Sequence, residues 1–168
     1  KKADTKKLSV GIIGFGAFGQ LIALHIADYF EVLAYDSSPG LDDKAERLGV
    51  ILTTLATAAR CDVVVIATPV ACCEEIVTGV ATSCRPGALI IDVGSVKVEP
   101  SEIMERILPD DVNIVATHPL FGPQSAGNGI KGLKIAICPI RGKGHRSLAA
   151  FLHRQLGLHT LCATPHEH

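Results

Sequence analysis

Residues 8–28 read LSVGIIGFGAFGQLIALHIAD. The stretch predicts a short apolar strand over Val10 to Ile13, a glycine turn, and an apolar helix. Gly14, Gly16 and Gly19 carry the spacing G-x-G-x-x-G of a dinucleotide-binding βα unit, with Phe15, Ala17 and Phe18 between them. The first glycine permits the tight turn. The second lets a pyrophosphate approach the backbone without meeting a Cβ, and the third lets the helix pack against the strand. The helix N-terminus offers N–H groups and a partial positive charge to phosphates.

The next segment, Glu31 to Asp36, is EVLAYD. It reads as a second strand ending in a carboxylate, 20 residues beyond Gly16, where such a unit bonds the adenosine ribose hydroxyls. An acid about 4 Å from a 2′-phosphate would cost about 4 kcal/mol per unit charge at an effective dielectric of 20. Ser37 and Ser38 follow Asp36, and no arginine does. NAD is therefore favoured as the cofactor, and the two serines leave NADP open. The uncharged run Leu8 to Ala27, preceded by KKADTKK, superficially resembles a signal or membrane anchor. Four glycines, Gln20 and His25 inside it, and a strand soon after, argue for strand, turn and helix instead.

At 168 residues with 48% apolar side chains, the chain can bury the core of one α/β domain. A net charge of −1 without a basic cluster argues against a nucleic-acid partner. Residues 1–7 read as a polar leader and 8–168 as the dinucleotide-binding domain. The six cysteines (61, 72, 73, 84, 138, 162) form no C-x-x-C pair and no ligand set with histidines, so no metal site is expected. They read as buried reduced thiols of a cytoplasmic protein, or of a plastid protein in a plant. His166 and His168 read as a frayed tail.

Further along, strands are expected at Val50 to Leu52, Cys61 to Ala67, Ala88 to Val93, Asn113 to Thr117, Lys134 to Cys138 and His159 to Cys162. Cys61 to Ala67 is continuously apolar and β-branched, as a strand buried on both faces should be. Helices are expected over KAERLG, closed by Gly49, then over Thr54 to Arg60 and from Pro69 to about Ser83. Two more are expected over Pro100 to Leu108 and His145 to Gly157. Pro69 is placed in a first helical turn. The alternation of strand and helix predicts a doubly wound, mostly parallel sheet of the Rossmann type. Ligands of such sheets lie beyond the carboxyl ends of the strands. The glycine turn, Asp36, Thr68-Pro69 and the loops Asp92 to Lys97 and His118 to Gln124 should converge there.

The motifs GFGAFG, YDSS, ATPV, DVGSVK and THPLFGPQSA, in this order and spacing, resemble the prephenate/arogenate dehydrogenase family of tyrosine biosynthesis. DVGSVK and HPLFGP are the most specific, since ordinary dinucleotide-binding domains lack them. The resemblance implies an oxidative decarboxylation, in which the substrate ring gives a hydride to the nicotinamide, loses carbon dioxide and becomes aromatic. It implies that His118 is the catalytic histidine, taking the proton of the ring hydroxyl. A neutral imidazole suits that work near physiological pH. It implies that Ser95 helps place the nicotinamide, the substrate hydroxyl and the histidine. Thr68 and Pro69 would line the cofactor by backbone and shape. Lys97 is read either as solvent-facing or as a support for the anionic substrate, and Gly122 and Gln124 as further substrate-side positions. The family pattern also carries a second, helical domain that forms a homodimer and completes the substrate pocket. That domain is missing from these 168 residues, which would leave the chain able to bind dinucleotide but a poor catalyst. Two other readings keep the fold. One is a β-hydroxyacid dehydrogenase-like oxidoreductase, which lacks the H-P-x-x-G-P loop; the other is a non-catalytic dinucleotide-binding module.

Overall fold

A computed structural model describes residues 6–167. Lys1, Lys2 and most of the expected leader lie outside the described residues, as does His168. Eight strands form one sheet: β1 (Ser9–Ile13), β2 (Glu31–Tyr35), β3 (Ile51–Leu52), β4 (Val63–Ile66), β5 (Leu89–Asp92), β6 (Asn113–Pro119), β7 (Lys134–Arg141) and β8 (His159–Cys162). Their order is β3-β2-β1-β4-β5-β6-β7-β8. Every neighbouring pair is parallel except β6 and β7. The order reverses between β1 and β4, the switch point at which such sheets hold ligands.

The central strands are apolar in continuous runs because both faces are covered. Ile13, Val64, Ile66, Ile90 and Ile114 pack with α3 (Leu55–Ala59), α4 (Cys73–Ala81) and α5 (Val98–Ile107). Val10, Ile12, Val65 and Ile91 point the other way. They pack with α1 (Ala17–Ile26), α2 (Asp42–Leu48) and residues of α6 (Gly144–Arg154). Gly11 allows the closest approach on the first side, since a Cβ there would lie 2.0 Å from the Ala58 carbonyl oxygen. No described helix is long and apolar enough to cross a membrane, and the run from Leu8 to Ala27 divides into β1, the turn and the whole of α1.

Several boundaries differ from the expectations, each for a local reason. Pro69 is extended, with φ −56° and ψ 147°, and caps a one-turn 3₁₀ helix Val70–Cys72 ahead of α4. It therefore directs the chain out of β4 instead of opening the helix. Helix α5 begins at Val98, so Pro100 occupies its third position, where a missing N–H costs no intrahelical bond. Strand β7 continues three residues past Cys138 and takes in Pro139. A register shift at Ile114/Val115 makes Pro139 the partner of Val115, the bulge at which a strand tolerates proline. The cysteines also correct the expectation: Cys61, Cys73 and Cys138 are buried, Cys84 is half-buried, and Cys72 and Cys162 are exposed.

Candidate functional site at the carboxyl edge of the sheet

The glycine turn follows β1 directly. Gly14 has φ +99°, and a Cβ on it would lie 2.6 Å from the Ala67 carbonyl oxygen, so both conformation and space require glycine. A Cβ on Gly19 would lie 2.2 Å from the Gly14 oxygen, which ties the first turn of α1 to the end of β1. At Gly16 a Cβ would meet nothing within 4 Å. The backbone there, at φ −77° and ψ −164°, suits any residue. Glycine at 16 thus leaves open space in front of the helix N-terminus, a cradle that a side chain would fill. Phe15 contributes only its backbone, because its ring is fully buried in the core.

Asp36 lies at the end of β2, beside this turn. Its Oδ2 accepts the Phe15 N–H at 2.7 Å and its Oδ1 accepts the Ser38 N–H at 2.8 Å. A carboxylate has about four acceptor positions, so two bonds fix the group and leave it able to accept ribose hydroxyls. Ala17 and Ser37 are exposed beside it. On the other side of the turn, Thr68 packs its methyl against Gly14. The buried Thr68 Oγ1 has no hydrogen-bond partner.

The loop after β5 is held from beneath. Lys97 is 3% exposed, and its ammonium donates to Asp92 Oδ2 and, at 2.6 Å, to the Thr117 carbonyl oxygen. Lys97 therefore does not face solvent, which corrects that one of the two readings made from the sequence. The physical reason is that a buried carboxylate, Asp92, needs a counter-charge. Thr117 Oγ1 donates to the Asp92 carbonyl at 2.9 Å, and the Gly94 N–H donates to Asp92 Oδ1 at 3.3 Å. Ser95, by contrast, is exposed at the tip of this loop. His118 follows Thr117 in β6 and is half-buried. Beyond it, Ser125 Oγ donates to the Gly122 carbonyl and accepts the Gly122 N–H, closing a tight turn that exposes Gln124. Phe121 meets Phe18 of the glycine turn with ring centroids 6.4 Å apart, so the two loops touch.

Adjacent register brings these segments to one edge. Ile66 pairs with Asp92 and Asp92 with Ala116, which sets Thr68 and Ser95 just beyond the ends of β4 and β5, beside His118 near the end of β6. The residues the sequence singles out thus lie together, apart from Phe15, whose ring is in the core, and Lys97, which lies beneath. Sequence reasoning missed Thr117 and Phe121, whose roles depend on contacts with distant segments, Asp92 and Lys97 for the one and Phe18 for the other. A cavity of about 350 Å³ lies between α1 and α6, with Phe18, Thr117 and Phe121 in its lining, but its surface is apolar and offers phosphates no partner. Among the described residues, no group of three or more His, Cys, Asp or Glu could hold a metal ion. Burial pushes the Cys73 thiol up to about 11, with the nearby Asp92 carboxylate adding to the effect, so no thiolate nucleophile forms there at neutral pH.

The sequence description "Prephenate dehydrogenase, nucleotide-binding domain" matches residues 23–151. The chain belongs to the prephenate dehydrogenase family. The match to the family contains Asp36, Thr68, Ser95 and His118, while the glycine turn precedes it. Arogenate dehydrogenase 1, chloroplastic, from Arabidopsis thaliana is 33% identical over 144 residues, covering 82% of this chain and 22% of that protein. A probable arogenate/prephenate dehydrogenase from Methanocaldococcus jannaschii is 35% identical over 82 residues, 48% of this chain and 18% of that one. Among solved structures, prephenate dehydrogenase from Aquifex aeolicus, crystallised with hydroxyphenyl propionate and NAD+, aligns with TM-score 0.80 at 24% identity. The alignment covers 99% of this chain and 63% of that one. Synechocystis arogenate dehydrogenase aligns with TM-score 0.81 at 17% identity, covering 95% and 61%. The chain thus spans about a fifth of the length of these curated relatives and about three fifths of these solved ones.

Proposed function

We propose that this chain is the NAD-binding part of a prephenate or arogenate dehydrogenase. The observation that carries the reading is the open cradle at Gly16, with the Asp36 carboxylate on one side and the Ser95 and His118 loops on the other. A pyrophosphate in that cradle would lie against the N-terminus of α1, where N–H groups have no intrahelical acceptor. Gly14, Gly16 and Gly19 shape its bed, with Phe15, Ala17 and Phe18 supplying backbone and walls. Asp36 would accept the adenosine ribose hydroxyls beside Ser37, and this carboxylate favours NAD over NADP. Thr68 and Pro69 would line the cofactor, with Thr68 Oγ1 able to bond it.

When bound, the nicotinamide supplies the hydride acceptor. Ser95 would hold the substrate hydroxyl in line, and an imidazole nitrogen of His118 would take the hydroxyl proton as the carbon to which it is attached becomes a ketone. Loss of carbon dioxide then leaves its electron pair to aromatise the ring. Gly122 and Gln124 would border the substrate. The helical domain and homodimer that the resemblance implies belong to the same reading. So does a reducing compartment, the cytoplasm, or the plastid if the chain is a plant's.

The test is titration of this chain with NAD and NADP by calorimetry, then assay of both substrates with the cofactor that binds. The expected result is binding, with NAD preferred. A clear NADP preference would overturn the role of Asp36, and binding of neither would overturn the reading. Binding with no turnover of either substrate, in a preparation that also carries the substrate-side domain, would leave a binding module.

A further inference from the structure

Lys97 is a buried cation whose partners join two loops of the site. Its ammonium lies between the Asp92 carboxylate and the Thr117 carbonyl, the residues that immediately precede the Ser95 loop and His118. Asp92 and Lys97 are five residues apart, so their contact closes the loop 93–96 into a ring with Ser95 at its tip. The bond to Thr117 then fixes that ring to β6, one residue before His118. Thr117 returns a second bond, from its hydroxyl to the Asp92 carbonyl. The Gly94 N–H occupies the other carboxylate oxygen.

Charged groups this deeply buried are costly unless each finds a partner, and they do not add much stability over an apolar pair of the same shape. What they do fix is geometry. A Lys–Asp pair with further bonds to main chain has one arrangement that satisfies every group, whereas an apolar contact tolerates sliding.

We propose that Lys97 is a positioning residue for the nicotinamide end of the site: through Asp92 and Thr117 it sets Ser95 and His118 at a fixed separation. The inference rests on the NAD-binding reading above. It follows from topology as well as contacts. With adenosine at Asp36 beside β2 and the pyrophosphate at the β1 turn, the other half of the dinucleotide must extend over β4 and β5, towards the loop that Lys97 holds.

The test compares NAD with ADP-ribose, which lacks the nicotinamide. The wild type is expected to bind NAD more tightly than ADP-ribose by about threefold or more, the worth of a hydrogen bond or two. Lys97→Met should lose that advantage while its affinity for ADP-ribose stays put, and Lys97→Arg should recover part of it. Because Lys97→Met leaves Asp92 buried without a counter-charge, the double variant Asp92→Asn/Lys97→Met is measured beside it, with circular dichroism and melting to check the fold. Amide hydrogen exchange adds a readout that simple loss of stability would not give. Faster exchange should be confined to residues 93–97 and 117–119 and spare β1 and β2. A folded double variant that keeps the full NAD advantage, or a wild type that shows none, would overturn the proposal. Failure of the wild type to bind ADP-ribose would instead overturn the NAD-binding reading itself.

Discussion

At the scale of single residues, the three glycines of the turn differ in why they are glycine. Gly14 and Gly19 are required by the fold, since a Cβ on either would lie within 2.6 Å of backbone. Gly16 is not: its Cβ would project into open space from an ordinary backbone conformation. Gly16→Val should therefore leave folding and melting temperature unchanged while abolishing NAD binding at millimolar concentration, measured by calorimetry. Retained binding would sink the phosphate-turn assignment. A second substitution addresses the reaction. In the full-length protein, with the substrate-side domain, His118→Asn should lower turnover by about a hundredfold or more without changing cofactor affinity, as seen in steady-state rates beside a binding titration. An unchanged rate would remove His118 from the mechanism.

At the scale of elements, the ends of helices and strands show where chain and context cooperate. Gly49 closes α2 in the left-handed conformation, at φ +71°, as a glycine after a short amphipathic run should. Thr54 caps α3 by accepting the Thr57 N–H at 3.2 Å. The start of α6 is less local. Its first N–H groups are satisfied by Asn113 Oδ1, 3.2 Å from the Lys143 nitrogen and 3.3 Å from that of Gly144, so a residue 31 positions away in β6 acts as the cap. Asn113→Ala should cost about 1 kcal/mol and lower the melting temperature by several degrees, with cofactor affinity unchanged because this end of β6 is opposite the site. A melting temperature equal to wild type would show that the cap contributes nothing.

At the scale of the whole molecule, the sheet is anchored at both of its ends by buried or half-buried carboxylates. Asp92 serves the carboxyl edge. At the amino edge Asp62 accepts the Ser9 N–H and hydroxyl at 2.9 and 3.1 Å and pairs with Arg85 at 3.6 Å. The backbone bond from Ser9 is the main reason its carboxyl titrates below the ordinary 3.8. A carboxyl whose acidity is raised by folding stabilises the protein fully above its unfolded value, and that contribution is lost as pH falls through the folded one. Acidification below about pH 4 should therefore lower the melting temperature more steeply in the wild type than in Asp62→Asn. Parallel slopes in the two proteins would show that the Ser9 bonds do not couple to stability.

The sequence by itself determined the glycine turn, the alternation of strand and helix, the mostly parallel sheet and the family. Those features rest on local rules: residue spacing, continuous β-branched runs, and glycine or proline at chain reversals. It also singled out Asp36, Ser95 and His118 by motif, and His159 to Cys162 as the last strand. Only the tertiary structure decided the rest. Pro139 sits within β7 because a bulge opposite Ile114 and Val115 absorbs it, and Pro69 is extended because the chain must clear the end of β4. Lys97 turned inward because the carboxylate five residues before it is buried too. No one-dimensional pattern records which of two nearby charges is covered, since burial is set by what other strands and helices lay over them.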